Sequence, residues 1–362
     1  MNKYGFNLKL KIYGGSHDEK IGMTLEGIPA NELIDFDKLQ AFMARRAPGN
    51  DPYSTKRKEP DEPVFFSGFD GNVTNGDVIE AIIYNKNQHS GDYSSLVDIP
   101  RPSHADFAAR MKYGDGVDLR GGGHFSGRLT APMCIAGGIC LQILERKGIH
   151  IGAHALSIGD SAYDEPFEGT SLSKNDLDLL HSHTFPTISE ECGAKMRELI
   201  EKARLDSDSV GGVIECAAIG LPAGLGEHMF MGVEGRISSI VFGIPAVKGI
   251  EFGQGFASAK LRGSENNDPF EVRDGKIVTK TNNCGGILGG MTNGMPLIFR
   301  AAMKPTPSIG LEQDSVSLSR MENVKLTIKG RHDPCVVPRA VPVFEAACAL
   351  AITDMLLDQI GG

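Results

Sequence analysis

Between Gly330 and Ala347 the chain reads Gly-Arg-His-Asp-Pro-Cys-Val-Val-Pro-Arg-Ala-Val-Pro-Val-Phe-Glu-Ala-Ala. Arg331 is an anion binder, His332 an imidazole that titrates near neutrality, and Asp333 a carboxylate, in three successive positions. The almost charge-free segment after Arg339 reads as a helix buried on all sides. A polar cluster held at the mouth of a buried element is a good place for chemistry, and a solvated loop entering a core helix is the alternative. The same residue types recur in four other places. Ser16 and His17 lie in the turn Gly14 to Asp18, at the end of a strand; a surface hairpin turn would look alike. Arg101 and His104 stand three apart beside Pro100 and Pro102. The run Arg120-Gly-Gly-Gly-His124-Phe125-Ser126-Gly127-Arg128 feeds a helix from about Thr130, and the N–H groups of such a loop, with the positive end of a helix, make an anion site. Lys304-Pro305-Thr306-Pro307-Ser308 offers a cation and two hydroxyls on a stiff backbone, as a phosphate or cofactor edge requires; an edge turn is the alternative.

The elements that must position these groups follow from periodicity. Leu8 to Tyr13 alternates apolar and basic residues as a strand, and Ile21 to Leu25 resumes it. Asp35 caps a helix with Leu39, Phe42 and Met43 on one stripe, ending at Arg45 and Arg46, where the helix dipole alone favours cations by about 0.3–1 kcal/mol each. Strands are expected at Pro63 to Gly68, Gly76 to Tyr84, Val210 to Gly220 and Pro296 to Met303, with a turn-rich strand in Phe242 to Gly253. Thr130 to Arg146 reads as a central helix, and Ser189 to Arg204 as an amphipathic one capped by Ser189. His181 and His183, without a third matching ligand nearby, read as a solvated strand or loop rather than a metal site. Arg120 to Arg146 and Lys329 to Leu357 each run from a basic, glycine-containing turn into a charge-poor helix, a faint echo of pseudo-symmetric halves around paired helices.

Composition narrows the function classes. The 362 residues suffice for one large or two ordinary domains. A formal charge of −9 argues against a nucleic-acid surface, so clustered basic residues face a small anion. The charge-poor segments Thr130 to Leu144 and Ala340 to Thr353 read as too short and too rich in Gly, Ala and Cys to span a bilayer, and the start lacks a signal-peptide apolar region, so a cytoplasmic protein is expected. Seven cysteines without a Cys-x-x-Cys pair fit reduced thiols, with Cys134, Cys140 and Cys348 as small core residues, and no metal site is expected.

Together the blocks carry a resemblance. Gly-x-Ser-His at the start, Arg-Pro-x-His-Ala-Asp from Arg101, Arg-Gly-Gly-Gly from Arg120, Gly-Gly-Ile-Leu-Gly-Gly from Gly285, Lys-Pro-Thr from Lys304, and Gly-Arg-His-Asp-Pro-Cys followed by Arg-Ala-Val-Pro from Arg339 resemble the chorismate synthase family, in order over nearly the whole chain. The resemblance implies an α+β fold, a single β-α-β sandwich domain over residues 1–362 with antiparallel sheets around paired central helices, assembled as a homotetramer. It also implies a lyase of aromatic biosynthesis that needs reduced FMN and removes phosphate from 5-enolpyruvylshikimate 3-phosphate by anti 1,4-elimination. NADPH enters only if the protein reduces its own flavin.

By the same resemblance His17 protonates the departing phosphate, and His104 stabilises the reduced flavin, tasks that suit side chains titrating near neutrality. Asp333 works with flavin N5 on the ring proton, oriented by Ser16 and Ser126. Arg46, Arg101, Arg128 and Arg331 bind substrate. His124, Phe125, Ser126, Ala246, Gly289, Lys304, Pro305, Thr306, Pro307, Ser308 and Arg331 form the flavin shell. The chain departs from the family pattern at Gly15, Asp18, Pro52 and Ser103, and at His124 and Leu129, where arginine and glutamate are usual. A histidine for a buried, anion-facing arginine costs on the order of 1.5–3 kcal/mol. Three readings stay open: a divergent synthase, a non-catalytic flavin-binding paralogue, and a flavin-dependent elimination enzyme for another anion.

Overall fold

In strand Lys9–Tyr13, Leu10 faces inward while Lys9 and Lys11 face solvent. The strand pairs antiparallel with Lys20–Glu26 in a register that sets Tyr13 opposite Gly22, where an added Cβ would lie 2.6 Å from the tyrosine ring. The description, from a computed structural model, covers residues 3–47, 61–85, 98–328 and 333–358. Ile79–Tyr84 and Val64–Ser67 extend this sheet on one side and Lys3–Tyr4 on the other, giving five antiparallel strands. A second five-stranded antiparallel sheet runs in the order Val247–Phe252, Leu297–Met303, Gly212–Ile219, His150–Ile158, Ala162–Tyr163.

Two long helices fill the space between the sheets. Thr130–Arg146 packs chiefly on the first sheet and Val337–Asp358 on the second, and they pack on each other. Each half of the chain therefore supplies one sheet and one central helix of an α+β sandwich. The second helix starts at Val337, so Arg339 lies in its first turn rather than ahead of it. Small residues bring the helix axes together: a Cβ at Gly137 would sit 2.3 Å from Ala346 Cβ and 2.4 Å from its Cα. Gly137→Val is expected to lower the unfolding free energy by about 1–3 kcal/mol, read from the urea midpoint, because a rigid backbone rather than a flexible side chain stands in the way.

Two sequence expectations change here. The central helices, counted as 20 residues from Gly127 and 22 from Val337, are long and apolar enough to cross a membrane, not too short as their charge-poor segments read. Their apolar windows are 83% and 89% buried between the sheets, as core helices require. His181 stands in the last turn of helix Lys174–Ser182, not in a strand or loop, and its Nε2 lies 3.4 Å from buried Glu345. His183 follows as the cap residue and bonds the Thr187 carbonyl at 2.8 Å. The seven cysteines are free thiols, with Cys134, Cys140 and Cys348 buried.

A polar cluster is sealed against the second sheet. His154 Nδ1 lies 3.1 Å from Asp164 and its Nε2 3.1 Å from Glu215, while Arg300 Nε donates to the other Glu215 oxygen at 2.8 Å. The Ser189 and Phe167 N–H groups donate to Asp164 and Glu215 at 3.0 and 2.6 Å. Burial opposes a charge on His154, but the two carboxylates outweigh it and raise its pKa.

Candidate active site

The helix Phe36–Arg46 begins where the Asp35 carboxylate accepts from the Lys38 N–H at 3.0 Å, and it ends at the edge of a cavity of about 640 Å³. Its last two residues diverge. Arg45 donates to buried Glu345 of the second central helix at 2.6 and 2.8 Å, anchoring the helix end. Arg46 lines the cavity, donating to Asp61 Oδ2 at 2.9 Å and to Thr130 Oγ1 at 3.1 Å. Burial, with Arg339 and Arg128 nearby, lowers its pKa to about 10 against the pull of Asp61. Arg128 pairs with the same Asp61 and donates through Nε to Asn85 at 3.0 Å. Arg101 is held bidentately by Asp106, at 2.7 and 2.8 Å.

The glycine-rich turn explains its own composition. Gly121, Gly122 and Gly123 all take left-handed φ values of 57°, 91° and 52°, which only glycine adopts readily. A Cβ at Gly121 would stand 2.2 Å from His17 Cε1, so the bare glycine lets the buried histidine ring pack against the cavity wall that Gly121 and Gly122 form. Ser16 Oγ donates to the Arg120 carbonyl at 3.0 Å and meets His17 Nδ1 at 3.2 Å. Ser126 Oγ accepts from the Arg128 N–H at 3.3 Å. Asp333 lines the cavity paired with Arg339. The hydrogen bonds found for Ser16 and Ser126 thus orient His17 and the Arg128 turn.

His104 departs from expectation. Its Nδ1 lies 3.1 Å from the Pro102 carbonyl, which can only accept, so Nδ1 carries the hydrogen and Nε2 accepts from Ser308 Oγ at 2.9 Å. Burial and Arg101 push its pKa down to about 4 rather than leaving it near neutrality. Since the folded value lies below the ordinary one, this residue contributes stability that is present above about pH 6.5 and is lost as pH falls toward 4. Nitrogen-15 NMR of the ligand-free protein is expected to show His104 as the neutral Nδ1–H tautomer down to pH 5; a titration midpoint near 6.5 would contradict this.

Ala246, Lys304, Thr306, Pro307, Ser308 and Phe125 also line the cavity. Lys304 Nζ donates to the Ser103 carbonyl at 2.7 Å, and burial together with Lys248 lowers its pKa. Ser103 has φ 58°, the left-handed conformation that explains why glycine is usual there. Pro305 is exposed and outside the cavity lining. Gly289 is likewise exposed, in the turn between the short strands Ile287–Leu288 and Met291–Thr292, and the cavity does not include it. His124 lies outside the lining too, bonding the Gly14 carbonyl at 2.8 Å, while Leu129 packs in the core. Arg331 and His332 fall outside the described residues.

Sequence reasoning missed Asp61 and Arg339 as partners of the site residues. Asp61 follows Lys56-Arg57-Lys58-Glu59-Pro60 and reads as one more charge in a solvated run, so no local signal marks its burial. Arg339 was visible as the residue ahead of a charge-free helix and as the start of the Arg-Ala-Val-Pro block, neither of which marks it as the partner of Asp333.

Two antiparallel sheets around paired helices, with arginines, a histidine and hydroxyl-bearing loops converging on one cavity, define an enzyme for a small anion. The chorismate synthase family model matches residues 8–357. The chorismate synthase of Lancefieldella parvula is 47% identical, covering 98% of this chain and 95% of its own, and that of Korarchaeum cryptofilum is 43% identical, covering 99% and 98%. A crystal structure of chorismate synthase superposes with a TM-score of 0.76 at 28% identity, over 99% of this chain and 94% of the other. The chain belongs to the chorismate synthase family.

Proposed function

We propose that the protein converts 5-enolpyruvylshikimate 3-phosphate to chorismate by anti 1,4-elimination of phosphate, as a carbon–oxygen lyase. The observation that carries this reading is the convergence of Arg46, Arg101, Arg128, Lys304, His104 and Asp333 on one cavity, inside a chain that matches the family from residue 8 to 357. The substrate bears two carboxylates and a phosphate, which preorganised cations bind and whose charge they stabilise as the carbon–oxygen bond breaks. Arg46, Arg101 and Arg128 hold these groups. The Ser16 hydroxyl is spent on the Arg120 carbonyl, so its oxygen accepts from His17 Nδ1–H, and His17, packed behind the Gly121 wall rather than in the cavity lining, is the residue this reading assigns to protonate the leaving phosphate. The Asp333 carboxylate, fixed by Arg339, accepts the ring proton.

The residues fit a reduced flavin. The volume is that of a cofactor site, and buried Thr306 Oγ1 lacks a hydrogen-bond partner among the described residues. Ala246 keeps φ at 76°, a left-handed strain typical of functional sites. Phe125, Ala246, Lys304, Thr306 and Ser308 would hold the ring and phosphate. When bound, reduced FMN supplies an electron-rich ring beside a substrate whose hydrogen is poorly acidic, with no net oxidation. His104, neutral and clamped between Pro102 and Ser308, would offer a bound flavin a fixed dipole rather than a standing cation.

His124 and Leu129, the departures that favoured a non-catalytic paralogue, lie away from the cavity lining, so they give that reading no support. The decisive experiment is an anaerobic assay with reduced FMN and 5-enolpyruvylshikimate 3-phosphate, following chorismate and phosphate together. Equal amounts of both are expected; binding of reduced FMN with neither product would overturn the synthase reading. Turnover with oxidised FMN and NADPH alone would show that the protein reduces its own flavin. The reading extends to a cytoplasmic homotetramer and to a single domain, the last supported by a core cluster running from Leu8 to Met355.

A further inference from the structure

We infer that Asp61 is a positioning residue whose carboxylate sets the spacing of Arg46 and Arg128, so that together they grip an oxyanion of the substrate. The inference rests on the functional reading above. One Asp61 oxygen takes Arg46 Nη2 at 2.9 Å and the other pairs with Arg128 Nη1, and the three side chains are 0%, 3% and 8% exposed. Two adjacent guanidiniums in a dry wall repel and would splay apart; a carboxylate between them, accepting one nitrogen from each, fixes their separation and planes.

Two further observations point the same way. Asp61 holds its backbone at φ 49°, a left-handed conformation that a non-glycine residue keeps only where its surroundings over-determine it. Arg46 Nε is buried without a hydrogen-bond partner among the described residues, a donor left over in a residue that lines the cavity. Burial is the chief cause of the lowered pKa of Arg46; Arg339 and Arg128 add to it, and Asp61 opposes it.

Asp61 acts on anion affinity in two opposed ways, and that opposition makes the inference testable. As a negative charge it weakens anion binding; as a clamp it strengthens it. Asp61→Asn removes the charge at nearly constant shape. Calorimetry on the flavin-free protein, with 5-enolpyruvylshikimate 3-phosphate and separately with inorganic phosphate, is expected to show affinity falling by about 10–100-fold, the loss typical of misplaced binding groups. KM in the anaerobic assay is expected to rise by a similar factor, with kcat changed much less. Unchanged or tighter binding would make Asp61 a mere counter-charge and overturn the inference. Asp61→Glu keeps the charge but displaces it by one methylene, and is expected to weaken binding with a wild-type melting temperature; wild-type affinity would count against positioning. Failure of both variants to fold would assign Asp61 to stability alone. If the wild-type protein binds phosphate but not the larger substrate, the functional reading fails while the phosphate titrations still decide the role of Asp61.

Discussion

His17→Ala is expected to lower turnover by about 10²–10⁴-fold, the usual worth of a positioned general acid. The ring is buried, meets the Ser16 hydroxyl at Nδ1 and packs against Gly121, and these neighbours fix its orientation. Substrate affinity should change far less, because the arginines that bind the anion belong to other elements. A single-turnover measurement under anaerobic conditions, with bound substrate confirmed by calorimetry, separates the two quantities. Undiminished turnover would remove His17 from the mechanism. Gly121→Ala offers a second route to the same result: its methyl group would displace the imidazole, and activity should fall although no polar group has been touched.

The largest loss of stability is expected from His154→Ala. That change leaves Asp164 and Glu215 buried without the cation between them, and breaking a buried pair in this way costs about 3–5 kcal/mol. It also removes the ring that meets Phe167 edge-on at a centroid distance of 4.6 Å. The pH dependence has a definite sign. A histidine whose folded pKa is raised contributes stability that is fully present below its ordinary value of about 6.5 and is lost as pH climbs through the raised one. The gap between wild type and variant, read from urea midpoints, should therefore be widest at and below pH 6.5 and should narrow in alkaline solution. A gap that stayed constant with pH would mean that His154 is neutral in the fold.

Much of the local structure was legible from the chain alone. Alternation from Leu8 to Tyr13 marked the strand found at Lys9–Tyr13, Asp35 and Ser189 marked helix starts through their capping side chains, and the small-residue composition of Thr130–Arg146 marked a helix packed on every side. These features depend on neighbours a few positions apart, so sequence order suffices to read them. The blocks around His17, Arg101, Arg120, Lys304 and Asp333 likewise announced anion chemistry by residue type, and their order carried the family resemblance.

Tertiary structure decided which partner each of those groups received. Arg46 and Arg128 meet Asp61, Asp333 meets Arg339, and His104 is clamped between Pro102 and Ser308, with a pKa near 4 that its residue type did not foretell. It also left Gly289, Pro305 and His124, and with them Ser16 and His17, outside the lining of the cavity to which the motifs had assigned them. Chemistry of this kind depends on burial and on charges brought together from distant parts of the chain. A side chain carries its reactivity in the sequence, but its protonation state and its aim are properties of the low-dielectric surroundings that folding builds around it.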